Sequence, residues 1–235
     1  MKRPVVDYRK LRFSNITSPQ YRHVLLLLGW VFYFSMYFLT ENLIPAEQCH
    51  PVWCPLDDIV PFCEWFIIPY VGWYALVFLS LGYFLFYDTE DFSDLSKYII
   101  VTQVVATACY IIFPTRQDLR PEEFANDNVL TAICAFLYSF DTNTGVCPSL
   151  HVGYSLGLLS VWTKRKETRP WFKVFITVAV ILICMATAFV KQHSVVDIFA
   201  AIPVCLLAEW LVFTLFKLLL MMEANASSVP VKMLL

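Results

Sequence analysis

Long apolar runs separated by short polar connections make up most of this sequence. A membrane-spanning helix needs about 20 mainly apolar residues, and three of the runs reach that length unaided. The other three reach it only with flanking residues. The pattern therefore predicts an all-α integral membrane protein whose six transmembrane helices form a helical bundle, built on residues 24–39, 65–87, 98–113, 150–162, 171–190 and 195–220. A shorter run, 130–140, is bounded by Asp127 and Asp141 and is expected to lie on the membrane interface or dip into it.

The composition agrees with this interpretation. Of 235 residues, 59% are hydrophobic and 15% are charged, whereas a soluble domain carries roughly 25% charged residues. The mean hydropathy is +0.62. We expect a single membrane domain over 1–235, with a basic N-terminal segment over 1–22 and a tail over 222–235. The first apolar run lacks a small-residue cleavage site, which favours an uncleaved anchor. No basic face with interleaved aromatic residues indicates nucleic-acid binding.

The positive charges predict how the bundle is oriented. Fourteen of the 17 Lys and Arg residues fall on the side that holds both termini, and the positive-inside rule makes that side the cytoplasm. The other three, Arg116, Arg120 and Lys191, fall on the opposite side. Two spans separate His151 from His193, so both histidines are also expected there. The short loops favour a bacterial plasma membrane, with an extracytoplasmic site.

The hexad 147–152, CPSLHV, marks the change from a polar loop to an apolar run. Proline suits the first position of a helix and serine suits its start, so the hexad predicts a helix N-terminus with His151 one turn in. The first N–H groups of a helix have no intrahelical partner and favour anions such as phosphate. A histidine beside such a site is placed to exchange a proton.

A second polar stretch, 191–197, precedes the last apolar run and reads KQHSVVD. His193 and Asp197 are four residues apart and therefore share one face of a helix. The carboxylate of Asp197 is then placed to orient the imidazole of His193. Each residue also has a structural alternative. His193 could be an interfacial histidine, Asp197 could cap its helix, and Lys191 could extend its amine to the membrane interface.

Three short motifs follow one another along the chain: Arg120-Pro121, Pro148-Ser149-Leu150-His151 and His193-x-x-x-Asp197. They resemble the signature motifs of the type 2 phosphatidic acid phosphatase superfamily, and the residues before His193 are similar to its inositol phosphorylceramide synthase-like branch. The resemblance covers roughly residues 95–215, expected to be the catalytic core, and the six predicted spans of the chain match the family's common membrane architecture.

The resemblance implies catalytic roles. His193 would attack phosphorus and form a phosphohistidine, and Asp197 would orient its ring. His151 would protonate the leaving lipid alkoxide and then activate water or an acceptor alcohol. Arg120 and Ser149, with nearby backbone N–H groups, would bind the nonbridging phosphate oxygens. No metal and no cofactor is implied.

The sequence also departs from the family pattern. Two positions that usually carry cations, one in the first motif and one in the third, are occupied here by Phe113 and Thr187. Lys191 or Arg116 is a candidate replacement for phosphate binding. If neither replaces them, the site binds phosphate weakly or is inactive.

The leading hypothesis is a lipid phosphatase that cleaves a phosphomonoester or diphosphate and whose partners are membrane lipids. Two alternatives stay open: a phospholipid head-group phosphotransferase, and a noncatalytic lipid-binding membrane protein. Disulfides are also open, with Cys49–Cys54 or Cys63–Cys147 as pairs on the outer side. The acidic stretch 88–94 is expected to be a solvated turn with an acidic start to the third helix, and His50 to be structural.

Overall fold

A computed structural model describes residues 4–219 together with 221 and 222, and the side chains of all of these except Glu41 and Phe140. The predicted tail therefore lies, apart from Met222, outside the described residues, as do the first three residues of the basic N-terminal segment. The chain forms eight α-helices in this region: α1 (Leu28–Leu43), α2 (Pro55–Ile59), α3 (Ile67–Tyr87), α4 (Thr89–Ile112), α5 (Val129–Phe140), α6 (Leu150–Lys164), α7 (Pro170–Phe189) and α8 (Val195–Trp210).

The protein is an all-α membrane protein. Within the described part of the chain, five helical stretches are long and apolar enough to cross a membrane, and they cover Arg22–Thr40, Glu64–Tyr87, Thr89–Ile112, Pro170–Phe189 and Val195–Leu219. The first begins with a 3-10 helix, Arg22–Leu27, that continues into α1, and the last continues from α8 through a π-helical turn, Leu211–Leu215. Five of the six predicted spans are thus long and apolar enough.

The sixth predicted span corresponds to α6, which has 15 residues. At 1.5 Å per residue it is about 22 Å long, less than the thickness of a bilayer core. It lies inside the bundle, where Tyr154 and Leu158 are almost completely buried. Its start is bonded to α8 through Ser149 N–H and the Asp197 carbonyl, and Arg165 at its end pairs with Asp88. Helix α6 therefore runs between the two ends of the bundle, but its role as a span stays a prediction.

The helix boundaries follow from capping residues. The side chains of Asp88, Ser149 and Ser194 accept backbone N–H groups at the starts of α4, α6 and α8. Pro170 occupies the first position of α7. Capping by Asp88 places the rest of the acidic stretch inside α4, so the solvated turn expected over 88–94 is reduced to a single residue. Acidic side chains suit this position because they face the positive end of the helix dipole.

Salt bridges characterise one end of the bundle, which we call the basic end. Arg165 pairs with both Asp88 and Asp91, and Lys217 lies 2.9 Å from Asp94. The N-terminal segment joins the same end, where Val5 N–H donates to the Phe86 carbonyl. Residues near both chain termini therefore lie together, as the predicted topology requires.

The opposite end, which we call the site end, carries most of the irregular structure. Strands β1 (His50–Pro51) and β2 (Thr115–Arg116) form a small parallel pair there. Cys63 N–H donates to the Phe189 carbonyl, which joins the start of α3 to the end of α7. Helix α5 packs nearby, and its Tyr138 hydroxyl donates to the Val190 carbonyl at 2.7 Å. The interfacial position expected for 130–140 stays a prediction.

Candidate functional site

His193 and Asp197 form a buried pair at the start of α8. The Nδ1 atom of His193 lies 3.2 Å from Oδ2 of Asp197 and 3.1 Å from the carbonyl oxygen of Val146. Asp197 is completely buried and its Oδ2 also accepts the Ser194 N–H at 3.0 Å. With Nδ1 carrying the proton, both oxygens accept from it and the opposite nitrogen, Nε2, presents a lone pair. The geometry therefore favours the tautomer that a nucleophilic histidine needs.

The second predicted histidine lies against the first. The ring centroids of His151 and His193 are 5.7 Å apart, with the planes inclined at 64°. Aromatic side chains of α3 surround the ring of His151: the centroids of Tyr70 and Trp73 are 4.5 Å and 4.3 Å away, and that of Tyr74 is 6.2 Å away. Such packing holds the imidazole in one orientation.

Several buried polar atoms around the two histidines make no hydrogen bond with any described residue. They are the nitrogen and hydroxyl atoms His151 Nε2, Tyr70 Oη, Trp73 Nε1, Arg120 Nε and Gln192 Nε2, and one acceptor, the Oδ1 of Asp197. Four of these atoms carry a hydrogen in every ordinary state, so the group is rich in donors. Buried donors normally have partners, and each exception requires an explanation. A ligand rich in oxygen acceptors, such as a phosphate group, fits this set.

Arg120 is the predicted phosphate-binding residue that contacts the histidine stretch. Its Nη2 donates to the side chain of Gln192 at 2.5 Å and to the carbonyls of Asp141 and Thr142 at 2.9 and 2.8 Å. Its guanidinium carbon lies 4.7 Å from the centre of the Tyr138 ring. Burial lowers the pKa of Arg120, whereas the charge of Asp141 acts in the opposite direction; an arginine nevertheless remains charged.

Ser149 is placed as predicted but is already engaged. Its Oγ accepts the N–H of Val152 at 3.5 Å, its own N–H donates to the Asp197 carbonyl at 3.1 Å, and it is 1% exposed. It fixes the start of α6 against α8 and so holds the two histidines together. The first-turn N–H groups of Leu150 and His151 are the backbone donors at this helix start that no described hydrogen bond uses.

Lys191 and Arg116 do not join the histidine pair through any contact that the structure describes. Lys191 has φ 54° in the turn after α7, and its ammonium donates to the carbonyls of Asp57 at 2.8 Å and Val60 at 2.5 Å. Arg116 pairs with Asp118 at 3.0 Å and donates to the Ala46 carbonyl at 2.9 Å. Both cations are therefore bonded to the segment between α1 and α3, and a role of either in phosphate binding stays a prediction.

Asp57 is a structural part of the site that sequence reasoning missed. Its carboxylate accepts the Ser194 hydroxyl at 2.5 Å and the Val195 N–H at 2.8 Å, and it also caps α2 through the Cys54 N–H at 2.8 Å. The spacing of Cys54 and Asp57 is a local capping signal. Its partners in α8, however, lie 137 and 138 residues away and have no local signal. Tyr70, Trp73 and Gln192 were likewise not predicted.

The outer cysteines are not joined in the proposed pairs. Cys54, Cys63 and Cys147 have free thiols, so neither Cys49–Cys54 nor Cys63–Cys147 is formed. Burial and then the charge of Asp197 raise the pKa of Cys147 to about 12, so its thiol stays neutral beside the His193–Asp197 pair. His50 stacks on Phe113 with centroids 4.3 Å apart and is exposed; the structural role expected for it stays a prediction.

The described residues include no group of three or more His, Cys, Asp or Glu side chains that could hold a metal ion. Fold and site together define the class: an all-α membrane protein with a His–Asp pair and a second histidine at one end. No family model, curated protein or solved structure matches the chain, so its family membership stays a prediction.

Proposed function

We propose that the protein is a membrane-embedded lipid phosphatase of the type 2 phosphatidic acid phosphatase kind, which hydrolyses a lipid phosphomonoester or diphosphate through a phosphohistidine. The observation that carries this proposal is the His193–Asp197 pair, 3.2 Å apart, with the ring of His151 against it. A His–Asp pair alone is common in proteins. A second histidine and four unbonded buried donors beside it, at the end of an apolar bundle, favour phosphoryl chemistry on a lipid.

In the first step, Nε2 of His193 attacks phosphorus. An N–P bond forms, the P–O bond to the lipid breaks, and His151 gives its proton to the leaving oxygen. Asp197 accepts the Nδ1–H of His193 and stabilises the positive charge that develops on the ring. In the second step, water attacks phosphorus, the N–P bond breaks, and His151 takes the proton from water. The enzyme and all protons are then restored.

The nonbridging oxygens need positive donors as the charge redistributes. Arg120 Nε, Gln192 Nε2 and Tyr70 Oη are buried and unbonded in the described structure, and they are the side-chain donors that we assign to this role. The N–H groups at the start of α6 add backbone donors. This set differs from the one predicted from sequence, because Gln192 and Tyr70 take the place of Lys191 and Arg116 and the Ser149 side chain caps α6 instead.

The proposal includes an arrangement in the membrane. Helix α6 is the sixth span, shielded from lipid by its neighbours, and the site end faces the extracytoplasmic side of a bacterial plasma membrane. Support comes from the charge distribution, because 14 of the 17 Lys and Arg residues fall on the side assigned to the cytoplasm. Both histidines and Arg120 then lie at the outer face, where a lipid head group is accessible.

The test is phosphate release by the purified protein from phosphatidate, phosphatidylglycerol phosphate and polyprenyl diphosphate. We expect release from at least one of them, with loss of detectable activity in His193→Ala. His50→Ala is the matched control, because His50 is an exposed histidine at the same end. Brief reaction with radiolabelled substrate should leave acid-labile label on the wild type and none on His193→Ala. Release that persists in His193→Ala would exclude the proposed nucleophile.

A second candidate is transfer of a phosphorylated head group to a lipid hydroxyl. The burial of the pair favours it, because His193 is 8% exposed and Asp197 is fully buried, which limits access of bulk water. Supplying diacylglycerol or ceramide together with a phospholipid donor should then yield a new phospholipid. Absence of both phosphate release and transfer, in protein shown to be folded, would leave the noncatalytic lipid-binding alternative.

A further inference from the structure

A long groove runs between α3 and α7 on the outside of the bundle. Its volume is about 1190 Å³, and its walls are mainly apolar, with Leu76, Leu79 and Phe86 from α3 and Phe172 and Phe175 from α7 among them. The lining extends from Ile68, near the site end, to Arg165, Thr168 and Arg169 at the basic end. The polar residues that line the groove are thus concentrated at one of its ends.

Small residues give the groove its depth. Gly72 and Gly82 both line it, and a Cβ atom added at either position would meet no other atom within 4 Å. Elsewhere in the bundle glycine allows close helix packing: a Cβ at Gly157 would lie 2.6 Å from the Tyr98 ring. The two glycines of α3 therefore leave space at the surface of the bundle. That space is bordered mainly by apolar side chains of α3 and α7, which suit a hydrocarbon chain.

The basic end of the groove has the features of an anion site. Thr168 is 8% exposed, lines the groove, and its Oγ has no hydrogen-bond partner among the described residues. Arg169 follows it, is exposed, and is the residue that precedes the first turn of α7. No side chain caps the start of α7, and helix starts favour anions.

The charges around this end leave Arg169 as the effective cation. Arg165 also lines the groove, but it is neutralised by Asp88 and Asp91. Glu167 also lines the groove, but its carboxylate lies 3.7 Å from Nε of Arg165 and its side chain is 69% exposed, so it is largely hydrated. Trp171 is 63% exposed beside Arg169, as expected for a side chain at the level of lipid head groups.

We propose that this groove is a binding site for one anionic phospholipid, with its phosphate at Thr168, Arg169 and the start of α7 and its acyl chains along α3 and α7. A polar pocket at the end of an apolar groove matches a phospholipid better than a soluble phosphate, which would leave the groove walls unused. Basic pockets between transmembrane helices are common sites for anionic lipid head groups. This site is separate from the histidines, and the inference does not rest on the proposed function.

The test is thermal unfolding of the full-length protein in detergent micelles that contain increasing fractions of phosphatidylglycerol or of phosphatidylcholine. A lipid that binds only the folded state raises the unfolding temperature. We expect a saturable rise with phosphatidylglycerol and a smaller rise, without saturation, with phosphatidylcholine. Loss of Arg169 in Arg169→Gln should raise the half-saturating fraction about fivefold, as for one basic residue near an anionic lipid. Lys166→Gln is the matched control, because Lys166 is an exposed cation of the same loop outside the groove lining.

The groove itself is tested by filling it. Gly82→Phe should abolish the saturable rise, whereas Val71→Phe should keep it, because Val71 is exposed on α3 outside the groove lining. Should Gly82→Phe not fold, Gly72→Leu fills the groove with a smaller side chain. Three results would overturn the proposal: equal effects of the two lipids, an equal effect of soluble glycerol phosphate, or equal weakening by Arg169→Gln and Lys166→Gln.

Discussion

Lys191 allows a sharp test of the difference between a phosphate-binding residue and a structural one. It is 9% exposed, and its ammonium donates to the carbonyls of Asp57 and Val60. These hydrogen bonds join the turn after α7 to the end of α2. Replacing it with methionine keeps an apolar side chain of similar length but removes the charge and both hydrogen bonds. The two carbonyls then lose their donor in a buried place.

The cost can be estimated from general values. A hydrogen bond from a charged group contributes about 1.5–3 kcal/mol, and dehydration of the ammonium offsets part of the sum for two such bonds. We therefore expect Lys191→Met to lower the free energy of unfolding by about 2–4 kcal/mol. The activity per folded molecule should change little, because no described contact joins Lys191 to either histidine.

Denaturant unfolding in mixed micelles measures the stability, and limited proteolysis reports release of the segment around α2. Lys166→Met is the control, since Lys166 is exposed and no described bond involves its amine; a surface change of this kind alters stability by less than about 0.5 kcal/mol. Unchanged stability together with a rise in KM of more than about tenfold would refute the structural role and would make Lys191 a phosphate-binding residue.

The pH dependence provides a second measurement on the same residue. Burial lowers the pKa of Lys191 below its ordinary 10.5, although Asp57 and Asp58 act in the opposite direction. As the pH rises from the folded pKa towards 10.5, the unfolded state binds more protons than the folded state, so stability rises with pH. We expect the wild type to gain stability relative to Lys191→Met in this window. A relative loss there would contradict the lowered pKa.

Three further predictions concern the catalytic pair, a close helix contact and the basic end. Asp197→Asn should reduce kcat/KM for phosphate release by about 10²–10⁴-fold while the protein stays folded, because the amide no longer orients the Nδ1–H of His193. Steady-state kinetics and unfolding on the same sample measure the two effects. A loss of kcat/KM under threefold would contradict the role of Asp197. Gly157→Ala should destabilise the protein by about 1–3 kcal/mol in denaturant unfolding, because the added Cβ would lie 2.6 Å from the Tyr98 ring. Gly72→Ala, where the added Cβ would have nothing within 4 Å, should be neutral or stabilising. Equal effects of the two changes would show that packing is not the cause. Arg165→Met should cost about 3–5 kcal/mol at neutral pH, because it leaves Asp88 and Asp91 without their cation. Burial raises the pKa of Asp88, but the hydrogen bond from Arg165 outweighs it, and the net pKa is below the ordinary 3.8. The wild type therefore loses this stabilisation as the pH falls through the lowered pKa. Below pH 3.8, the difference in unfolding free energy between the wild type and Arg165→Met should be smaller.

Local patterns were sufficient for the helices and for the placement of the two histidines. The start of α6 was predicted, because the preference of proline and serine for a helix start depends only on neighbours in the sequence. The prediction that His193 and Asp197 share one face of a helix was wrong, because α8 begins at Val195 and His193 lies in the turn before its N-cap Ser194. The two side chains still meet, because Asp197 in the first turn of α8 lies beside that turn. That both histidines lie at one end followed from counting apolar runs. The 15-residue length of α6 was not predicted, because a central helix shielded by others can be shorter than one that faces lipid.

Side-chain partners across the bundle were beyond the sequence. The rings of Tyr70 and Trp73 looked like ordinary apolar positions of a span, and only the packing of α3 against α6 places them on His151. Lys191 was a candidate for phosphate binding because it is near the histidine motifs in the sequence and on the same predicted side. The positive φ of Lys191 directs its side chain to α2 instead, and no local pattern predicted that conformation.

Arg165 and Arg120 show that the contacts of an arginine, rather than the residue type, determine whether its charge is available to a ligand. Arg165 donates to the carboxylates of Asp88 and Asp91, which are 77 and 74 residues away, and its charge is therefore cancelled within the fold. All four described hydrogen bonds of Arg120 go to neutral oxygens, three backbone carbonyls and the Gln192 amide, although the charge of Asp141 acts on it from nearby. Neutral oxygens satisfy the donors of a guanidinium without cancelling its charge. Arg120 therefore keeps positive charge available for an anion beside the two histidines, whereas Arg165 serves to hold α6 against α4.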